Sequence, residues 1–208
     1  SGSPRNDALI NNIESNNKKV RNKYNLSSKT KILLYAPTFR NNYDKNPYDI
    51  DFNKLIKKIK SKDEEWMVIV KLHPRLQGSD ISKKIDNKFL NATNYSDIQE
   101  LICSCDLLVT DYSSTMFEAM IIDKPVLLYA NDIESYSNER GMYFSFEELP
   151  FILCKNNNDI DLLENNFFSH IEDNYKMFKK KIGLHEKGNA SKMVADYIEK
   201  SIKGGNYE

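Results

Sequence analysis

Short apolar runs that alternate with helix-like segments are the feature of this sequence that most restricts its fold. The runs are rich in Leu, Ile and Val, as buried strands are, and they lie at Lys31–Ala36, Trp66–Leu72, Lys88–Ala92, Asp106–Thr110 and Val126–Ala130. Segments with helical periodicity lie between or after them, at Phe52–Ser61, Ser79–Ile85, Asp97–Cys105 and Thr115–Ile122. Nearly continuous apolar runs belong in a sheet that is covered on both faces. The order therefore predicts an α/β fold with a doubly wound parallel sheet.

Helices are also predicted at both ends of the chain. The first is an amphipathic helix over Ala8–Tyr24 with Asp7 as its N-cap. The others follow the sheet, at Asp159–Glu164, Phe167–Ile182 and Ala190–Lys200. A chain of 208 residues is long enough for one domain with a substantial core.

The charges of the chain balance, with 30 basic and 30 acidic residues. No global field draws it to nucleic acid or to an anionic membrane, so any recognition of anions is local. Its longest apolar stretches are too short to cross a bilayer. The three cysteines are an odd number, which favours a reducing cytoplasm over a disulfide-bonded secreted protein. Cys103 and Cys105 are interpreted as buried residues, because no second pair of zinc ligands follows them.

Three of the predicted strands end in polar segments, at Ala36–Arg40, Lys71–Arg75 and Thr110–Thr115. Open parallel sheets bind ligands just beyond the carboxyl ends of their strands. We therefore expect these three segments to lie together at one edge of the sheet.

The third segment carries hydroxyl groups directly before a helix. Ser113 and Ser114, with the free backbone N–H groups of that helix, are suited to bind phosphate. The alternative is that Thr115 and Glu118 form an ordinary capping box that needs no ligand. The residues alone leave both interpretations open.

The second segment contains a histidine whose position is fixed by the proline that follows it. His73 comes directly after a buried strand, where its imidazole can donate to a phosphate oxygen. Arg40 and Arg75 are weaker candidates, since an arginine after a strand is commonly a solvated partner in a salt bridge.

Two further features limit the chemistry. The chain contains neither GxxxxGK[ST] nor GxGxxG, so ATP hydrolysis and Rossmann dinucleotide binding lose their main support. Asp51 is interpreted as the cap of the helix that begins at Phe52 rather than as a metal ligand. A long polar loop is predicted over Asp132–Phe144, and loops of this length beside a sheet edge are often functional.

Seven motifs in order along the chain resemble those of the CDP-glycerol glycerophosphotransferase family, which builds polyol-phosphate polymers of the teichoic acid and capsule type. They lie at Gly2–Asp7, Leu34–Arg40, Leu72–Pro74, Asp106–Ser114, Lys124–Val126, Arg140–Phe144 and Gly188–Ser191. The Tyr-Ala-Pro-Thr-x-Arg and Thr-Asp-Tyr-Ser-Ser runs are the specific ones. The resemblance implies the C-terminal half of a GT-B enzyme, with residues 1–30 as an interdomain segment and helix and residues 31–208 as the Rossmann-like domain that binds the nucleotide donor.

The resemblance also implies a set of substrate-binding residues, namely Thr38, Arg40, His73, Ser113, Ser114, Glu118 and Arg140. Of these, His73, Ser113 and Ser114 are expected to contact the pyrophosphate of CDP-glycerol. Arg40 and Arg140 are expected as further phosphate contacts. Glu118 is expected near the ribose or glycerol hydroxyls, although family members usually carry aspartate there.

The implied reaction moves glycerol phosphate from CDP-glycerol to a polymer hydroxyl and releases CMP. His73 is the candidate catalytic residue, because with the serines it can stabilise the spreading phosphoryl charge. Neither a cofactor nor a metal is expected. The family's presumed base belongs to a Trp-His-Gly-Thr-like motif of an N-terminal domain, and this sequence lacks such a motif. We therefore expect a piece of a longer cytoplasmic protein, peripheral at the inner face of the membrane, that binds the donor without turnover.

Two alternatives stay open. The first keeps the fold and changes the donor to another CDP-, CMP- or UDP-linked compound used by a capsule glycosyltransferase. The second is a nucleotide-binding or interaction module without catalysis. In that case the tyrosines Tyr43, Tyr48, Tyr136 and Tyr143, if exposed, mark a protein interface.

Overall fold

Six parallel strands form one sheet in the computed structural model, which describes residues 2–40, 46–76, 89–140, 144–164, 169 and 171–203, without the side chains of 137–140. The strands are β1 (Lys31–Tyr35), β2 (Trp66–Val70), β3 (Leu90–Asn91), β4 (Leu107–Thr110), β5 (Val126–Tyr129) and β6 (Ile152–Cys154). Their order across the sheet is β3-β2-β1-β4-β5-β6. The predicted α/β class with a doubly wound parallel sheet is confirmed.

The central strands are buried on both faces, which explains their continuous apolar sequence. In β1, Leu34 belongs to the core cluster on one face and Leu33 to the cluster on the other. Strand β4 divides in the same way, with Leu108 and Val109 on opposite faces. Successive side chains of a strand point to opposite faces, so each strand contributes to both cores.

Eight helices lie in the described residues. They are α1 (Pro4–Asn11), α2 (Ile13–Lys23), α3 (Phe52–Ile59), α4 (Ile98–Ser104), α5 (Thr115–Ile121), α6 (Ile133–Arg140), α7 (Ile171–Lys181) and α8 (Ala190–Ile202). None of these helices is both long and apolar enough to cross a membrane. Short 3-10 turns lie at Pro74–Leu76, Phe146–Glu148 and Asp159–Leu162. The predicted cap at Asp51 is confirmed, because its carboxylate accepts the Lys54 N–H at 3.0 Å.

Three sequence predictions of secondary structure need correction, and one strand was missed. The helix predicted over Ala8–Tyr24 is two helices, because the backbone of Asn12 leaves helical geometry between them at φ −120° and ψ 22°. The loop predicted over Asp132–Phe144 contains α6, whose polar sequence has no apolar periodicity. The helix predicted over Asp159–Glu164 is a 3-10 turn, and edge strand β6 was not predicted. The helix predicted over Ser79–Ile85 lies outside the described residues.

The helices before residue 31 pack into the same core as the sheet. Leu9 of α1 and Val20 of α2 are fully buried there. All three cysteines are buried and free, which confirms the interpretation of Cys103 and Cys105.

The first and last helices are joined by what we call the terminal clasp, formed by residues 2–7 and 186–191. The prediction that Asp7 is the N-cap of the first helix is wrong, because α1 begins at Pro4. Its carboxylate instead accepts the backbone N–H groups of Ala190 at 2.9 Å and Ser191 at 2.7 Å, at the start of α8. Glu186 completes the clasp by accepting the Ser3 N–H at 3.0 Å. The clasp thus joins the first and last motifs of the family resemblance.

Gly188 allows this close approach. Its φ of +71° lies in the left-handed region, and a Cβ placed on it would lie 2.5 Å from Oδ1 of Asn11. The Asn11 amide donates to the Gly188 carbonyl oxygen at 2.7 Å. A side chain at this position would be strained at this φ and would displace the Asn11 side chain, which holds the Gly188 carbonyl oxygen.

We predict that Asp7→Ala will accelerate amide hydrogen exchange at Ala190 and Ser191, because both N–H groups lose their acceptor. Hydrogen bonds from Ser191 lower the pKa of Asp7. Because the pKa of Asp7 is lower in the folded protein than in the unfolded chain, the protection of the two amides is complete above the ordinary pKa of aspartate. It is lost as the pH falls through the pKa that Asp7 has in the folded protein. Exchange measured by NMR checks this, with Asp196→Ala on the exposed surface of α8 as the control. Unchanged exchange at both amides in Asp7→Ala would show that the cap is not formed.

Candidate functional site

The carboxyl ends of β1 and β4 form the topological switch point of the sheet. The two strands are neighbours, with Tyr35 opposite Val109. The chain leads from β1 to β2 on one side of this pair and from β4 to β5 on the other side. Open α/β sheets bind ligands at such a point, just beyond the carboxyl ends of the strands. The polar segments predicted after β1, β2 and β4 meet at this edge.

A cleft of about 520 Å³ opens at the switch point. Its lining comes from the three strand ends and the start of α4, and consists of Ala36, Pro37, Thr38, Phe39, Lys71, Leu72, His73, Pro74, Arg75, Ile98, Ser113 and Thr115. Three of the seven predicted substrate-binding residues, Thr38, His73 and Ser113, therefore share one cleft. Among the described residues that line it, two are basic, Lys71 and Arg75, and none carries a carboxylate.

The hydroxyl groups after β4 are arranged around Ser113. Its Oγ accepts the hydroxyl of Thr115 at 2.9 Å and the Thr115 backbone N–H at 3.3 Å. Ser114 is exposed and its side chain makes no capping hydrogen bond. In this arrangement the Ser113 hydroxyl proton can be donated into the cleft. The alternative of a Thr115–Glu118 capping box is wrong, because Thr115 is already the first helical residue of α5.

His73 follows β2 with its ring orientation fixed by two contacts. Its Nδ1 accepts the backbone N–H of Arg75 at 3.2 Å. The ring lies against Phe39 with 5.3 Å between ring centroids. Because Nδ1 acts as an acceptor, the neutral imidazole carries its proton on Nε2. Nε2–H is therefore the donor that His73 offers to a ligand.

Arg40 lies behind the cleft in a buried ionic cluster and is only 7% exposed. Its Nη2 donates to Asp111 at 2.9 Å and to Asp132 at 3.2 Å, and its Nε donates to Asp132 at 2.7 Å. Its Nη1 donates to the carbonyl oxygen of Thr38 at 2.9 Å and also to the Thr38 hydroxyl. A guanidinium has five N–H donors, so each one has an acceptor in this structure.

Two tyrosines complete what we call the Arg40 cluster, which consists of Arg40, Asp111, Asp132, Tyr112 and Tyr136. The tyrosine rings are stacked at 3.8 Å, and the guanidinium carbon lies 4.8 Å from the Tyr112 centroid and 5.0 Å from that of Tyr136. The Tyr112 hydroxyl donates to Asp132 at 2.9 Å. Tyr136 belongs to α6, so the cluster fixes that helix against the loop after β4.

Burial and the Arg40 charge act in opposite directions on the two carboxylates. Burial raises the pKa of Asp111, and the adjacent guanidinium only partly offsets this rise. Burial also acts to raise the pKa of Asp132, but the hydrogen bond and the charge of Arg40, together with the hydrogen bond from Tyr112, outweigh burial, so the pKa of Asp132 is lowered. Asp111 also accepts the Thr38 N–H at 2.9 Å. The carboxylate therefore ties the loop after β1 to the loop after β4.

Arg40, Ser114 and Glu118 are not among the described residues that line the cleft. Glu118 is buried and accepts a hydrogen bond from the Gln99 amide at 3.1 Å, while Arg5 of α1 lies 3.1 Å from its other oxygen. It therefore connects α1, α4 and α5. Arg140 is the last residue of α6, and its side chain lies outside the described part of the chain.

The sequence analysis missed three residues that shape this site. Lys71 lines the cleft, and Asp111 and Asp132 enclose Arg40. Lys71 and Asp111 both lie in the polar strand ends, so their positions in the sequence could have identified them as site residues. The pairing of Asp132 with Arg40 spans 92 residues and has no local signature. The described residues contain no group of three or more His, Cys, Asp or Glu side chains placed to hold a metal ion.

Residues 1–200 match the family described as CDP-Glycerol:Poly(glycerophosphate) glycerophosphotransferase. The chain is 30% identical to a teichoic acid poly(glycerol phosphate) polymerase of Staphylococcus epidermidis over 97% of its length. It is 32% identical to a teichoic acid glycerol-phosphate primase of Bacillus spizizenii over 96% of its length. A solved structure of the wall teichoic acid polymerase TagF, a histidine variant with CDPG, superposes with a TM-score of 0.76 at 29% identity and covers 97% of the chain.

The chain spans 29% and 51% of the two curated relatives and 50% of the TagF chain. The match to TagF agrees with the expected half of a GT-B enzyme. The match over residues 1–200 includes the terminal clasp and all three polar strand ends. On this evidence the chain belongs to the CDP-glycerol:poly(glycerophosphate) glycerophosphotransferase family.

Proposed function

We propose that this chain is the donor-binding part of a transferase that moves glycerol phosphate from CDP-glycerol to a hydroxyl of a teichoic-acid or capsule-type polymer and releases CMP. The observation that carries the proposal is the meeting of Thr38, His73 and Ser113 in one cleft at the switch point of the sheet. These residues come from three separate strand ends. His73 and Ser113 keep a donor for a pyrophosphate, whereas the Thr38 N–H and hydroxyl donate to Asp111.

The cleft suits the charge that such a reaction develops. The acceptor oxygen forms a bond to the β-phosphorus, and the bond from that phosphorus to the bridging oxygen breaks, so CMP leaves with the electron pair. The Nε2–H of His73 and the Ser113 hydroxyl are donors that can stabilise the phosphoryl oxygens during this step. We infer from the family resemblance that the acceptor proton goes to a base in the part of the relatives that this chain does not cover. The full-length protein acts on the cytoplasmic side of the membrane in this proposal.

The donor-binding proposal is tested by calorimetric titration of this chain with CDP-glycerol, CMP and a UDP-linked sugar. We expect selective binding of the cytidine compounds. His73→Ala and Ser113→Ala are each expected to weaken the binding of CDP-glycerol by about 1–3 kcal/mol, as a hydrogen bond to a charged group is lost.

Matched controls are available on the same chain. His185→Ala and Ser61→Ala change the same residue types at exposed positions outside the cleft and are expected to leave binding unchanged. A preference for the uridine donor, or equal losses in the cleft and control variants, would contradict the proposal.

A second donor is included because of the relatives. A teichoic acid ribitol-phosphate primase of Bacillus spizizenii is 31% identical over 84% of this chain. Glu118, the residue expected near the ribose or glycerol hydroxyls, contacts Arg5 and Gln99 and is not among the described lining residues of the cleft. CDP-ribitol therefore belongs in the same titration, and tighter binding of it than of CDP-glycerol would change the proposed polyol.

A further inference from the structure

Two of the described residues that line the cleft are basic, and the family motifs did not single out either of them. Lys71 and Arg75 line the cleft, and none of the described lining residues is acidic. The whole chain has a formal net charge of zero, so this local excess is set by the placement of residues. A pyrophosphate diester carries two negative charges and needs such a local partner.

The motifs favoured two cations, Arg40 and Arg140, and the Arg140 side chain lies outside the described part of the chain. The donors of Arg40 already have acceptors. Its five N–H donors are directed to Asp111, Asp132 and Thr38. Turning toward a ligand would leave buried carboxylates without their partner, which is strongly unfavourable. Arg40 therefore does not provide an available charge in this arrangement.

Lys71, in contrast to Arg40, keeps N–H donors that can bind a ligand. It is partly buried and its ammonium donates to the carbonyl oxygen of Thr93 at 2.9 Å. No carboxylate pairs with it among the described residues. An ammonium has three N–H donors, so two are left for a ligand. Burial lowers the pKa of Lys71, as expected for a cation that lacks a negative partner.

Arg75 also lines the cleft, but its charge is expected to attract a bound anion less strongly than that of Lys71. It is exposed, and its guanidinium carbon lies 5.6 Å from the centroid of Phe39. An exposed charge is screened by water and salt more strongly than a partly buried one.

We propose that Lys71 is the cationic contact for the pyrophosphate of the nucleotide donor and thereby distinguishes phosphorylated from unphosphorylated cytidine ligands. This inference rests on the proposed donor-binding function. It assigns to Lys71 the role that the motifs suggested for Arg40.

The test compares Lys71→Met with wild type for two ligands, CDP-glycerol by calorimetry and cytidine by NMR titration. Lys71→Met is expected to weaken the binding of CDP-glycerol by about 10- to 100-fold, as for a lost charge-assisted hydrogen bond, and to leave that of cytidine unchanged. Lys71→Arg keeps the charge and is expected to retain most of the affinity. Lys60→Met removes the same charge from an exposed position after α3 and is the matched control.

Each outcome separates this inference from the proposed function. If the wild-type chain binds no cytidine nucleotide, the proposed function fails and this inference fails with it. If the wild type binds CDP-glycerol and Lys71→Met binds it equally well, only the role of Lys71 is overturned. Equal losses for CDP-glycerol and cytidine would also overturn it, since they would reflect a change in the shape of the cleft.

Discussion

Replacing Arg40 with methionine is expected to lower the free energy of unfolding by about 3–5 kcal/mol, the usual effect of removing one partner from a buried ion pair. The side chains of Asp111 and Asp132 are 3% and 12% exposed, so both carboxylates would stay largely buried without their shared cation. Urea denaturation at pH 7, followed by circular dichroism, measures the change. The control is Lys54→Met, which breaks an ion pair with an Asp161 side chain that is 66% exposed and is expected to change stability by about 0–1 kcal/mol.

The pH dependence of the stability of Arg40→Met shows whether the loss of stability comes from the unpaired carboxylates. Burial already raises the pKa of Asp111, and removal of the guanidinium raises it further. A carboxyl group with a raised folded pKa destabilises the fold above that pKa, and the penalty disappears as the pH falls toward the ordinary value. The difference in stability between Arg40→Met and wild type is therefore expected to shrink between pH 7 and about pH 4. A difference that stays constant over this range would assign the loss to packing.

Shortening Leu34 to alanine is expected to lower the free energy of unfolding by about 2–5 kcal/mol. Leu34 is fully buried in β1. Its backbone neighbours across the sheet are Ile69 of β2 and Leu108 of β4, so few atoms can move into the cavity. The same denaturation experiment on Leu162→Ala is the control, because Leu162 is 79% exposed and the identical change there is expected to stay within about 0.5 kcal/mol. Similar effects at both positions would contradict the assignment of β1 to the centre of the sheet.

The sequence predicted the central strands well because their burial on both faces produces continuous apolar runs. Strand β1 was predicted at Lys31–Ala36 and lies at Lys31–Tyr35. The misses lie where this signal is weak. Strand β6 has three residues at the sheet edge, and its Ile152 is 41% exposed. Helix α6 is held by the contact of Tyr136 with Tyr112, which local sequence does not encode.

The candidate site was predicted to the extent that it follows from strand ends. Parallel strands bring their carboxyl ends to one edge, and this placed Thr38, His73 and Ser113 correctly at a shared cleft. The environment of an individual charge depends on distant partners. Arg40 faces two aspartates 71 and 92 residues away, so its role in phosphate binding could not be judged from its own motif and stays a prediction.

The terminal clasp has a consequence for how the chain folds during synthesis. Asp7 meets its partner amide at Ala190 across 183 residues. A ribosome that adds about 5–20 residues per second therefore produces the second half of this contact about 10–40 s after the first. During that interval the Asp7 carboxylate lacks its partner amides. Any chain that stops before residue 190 lacks the contact that attaches the first helix to the last.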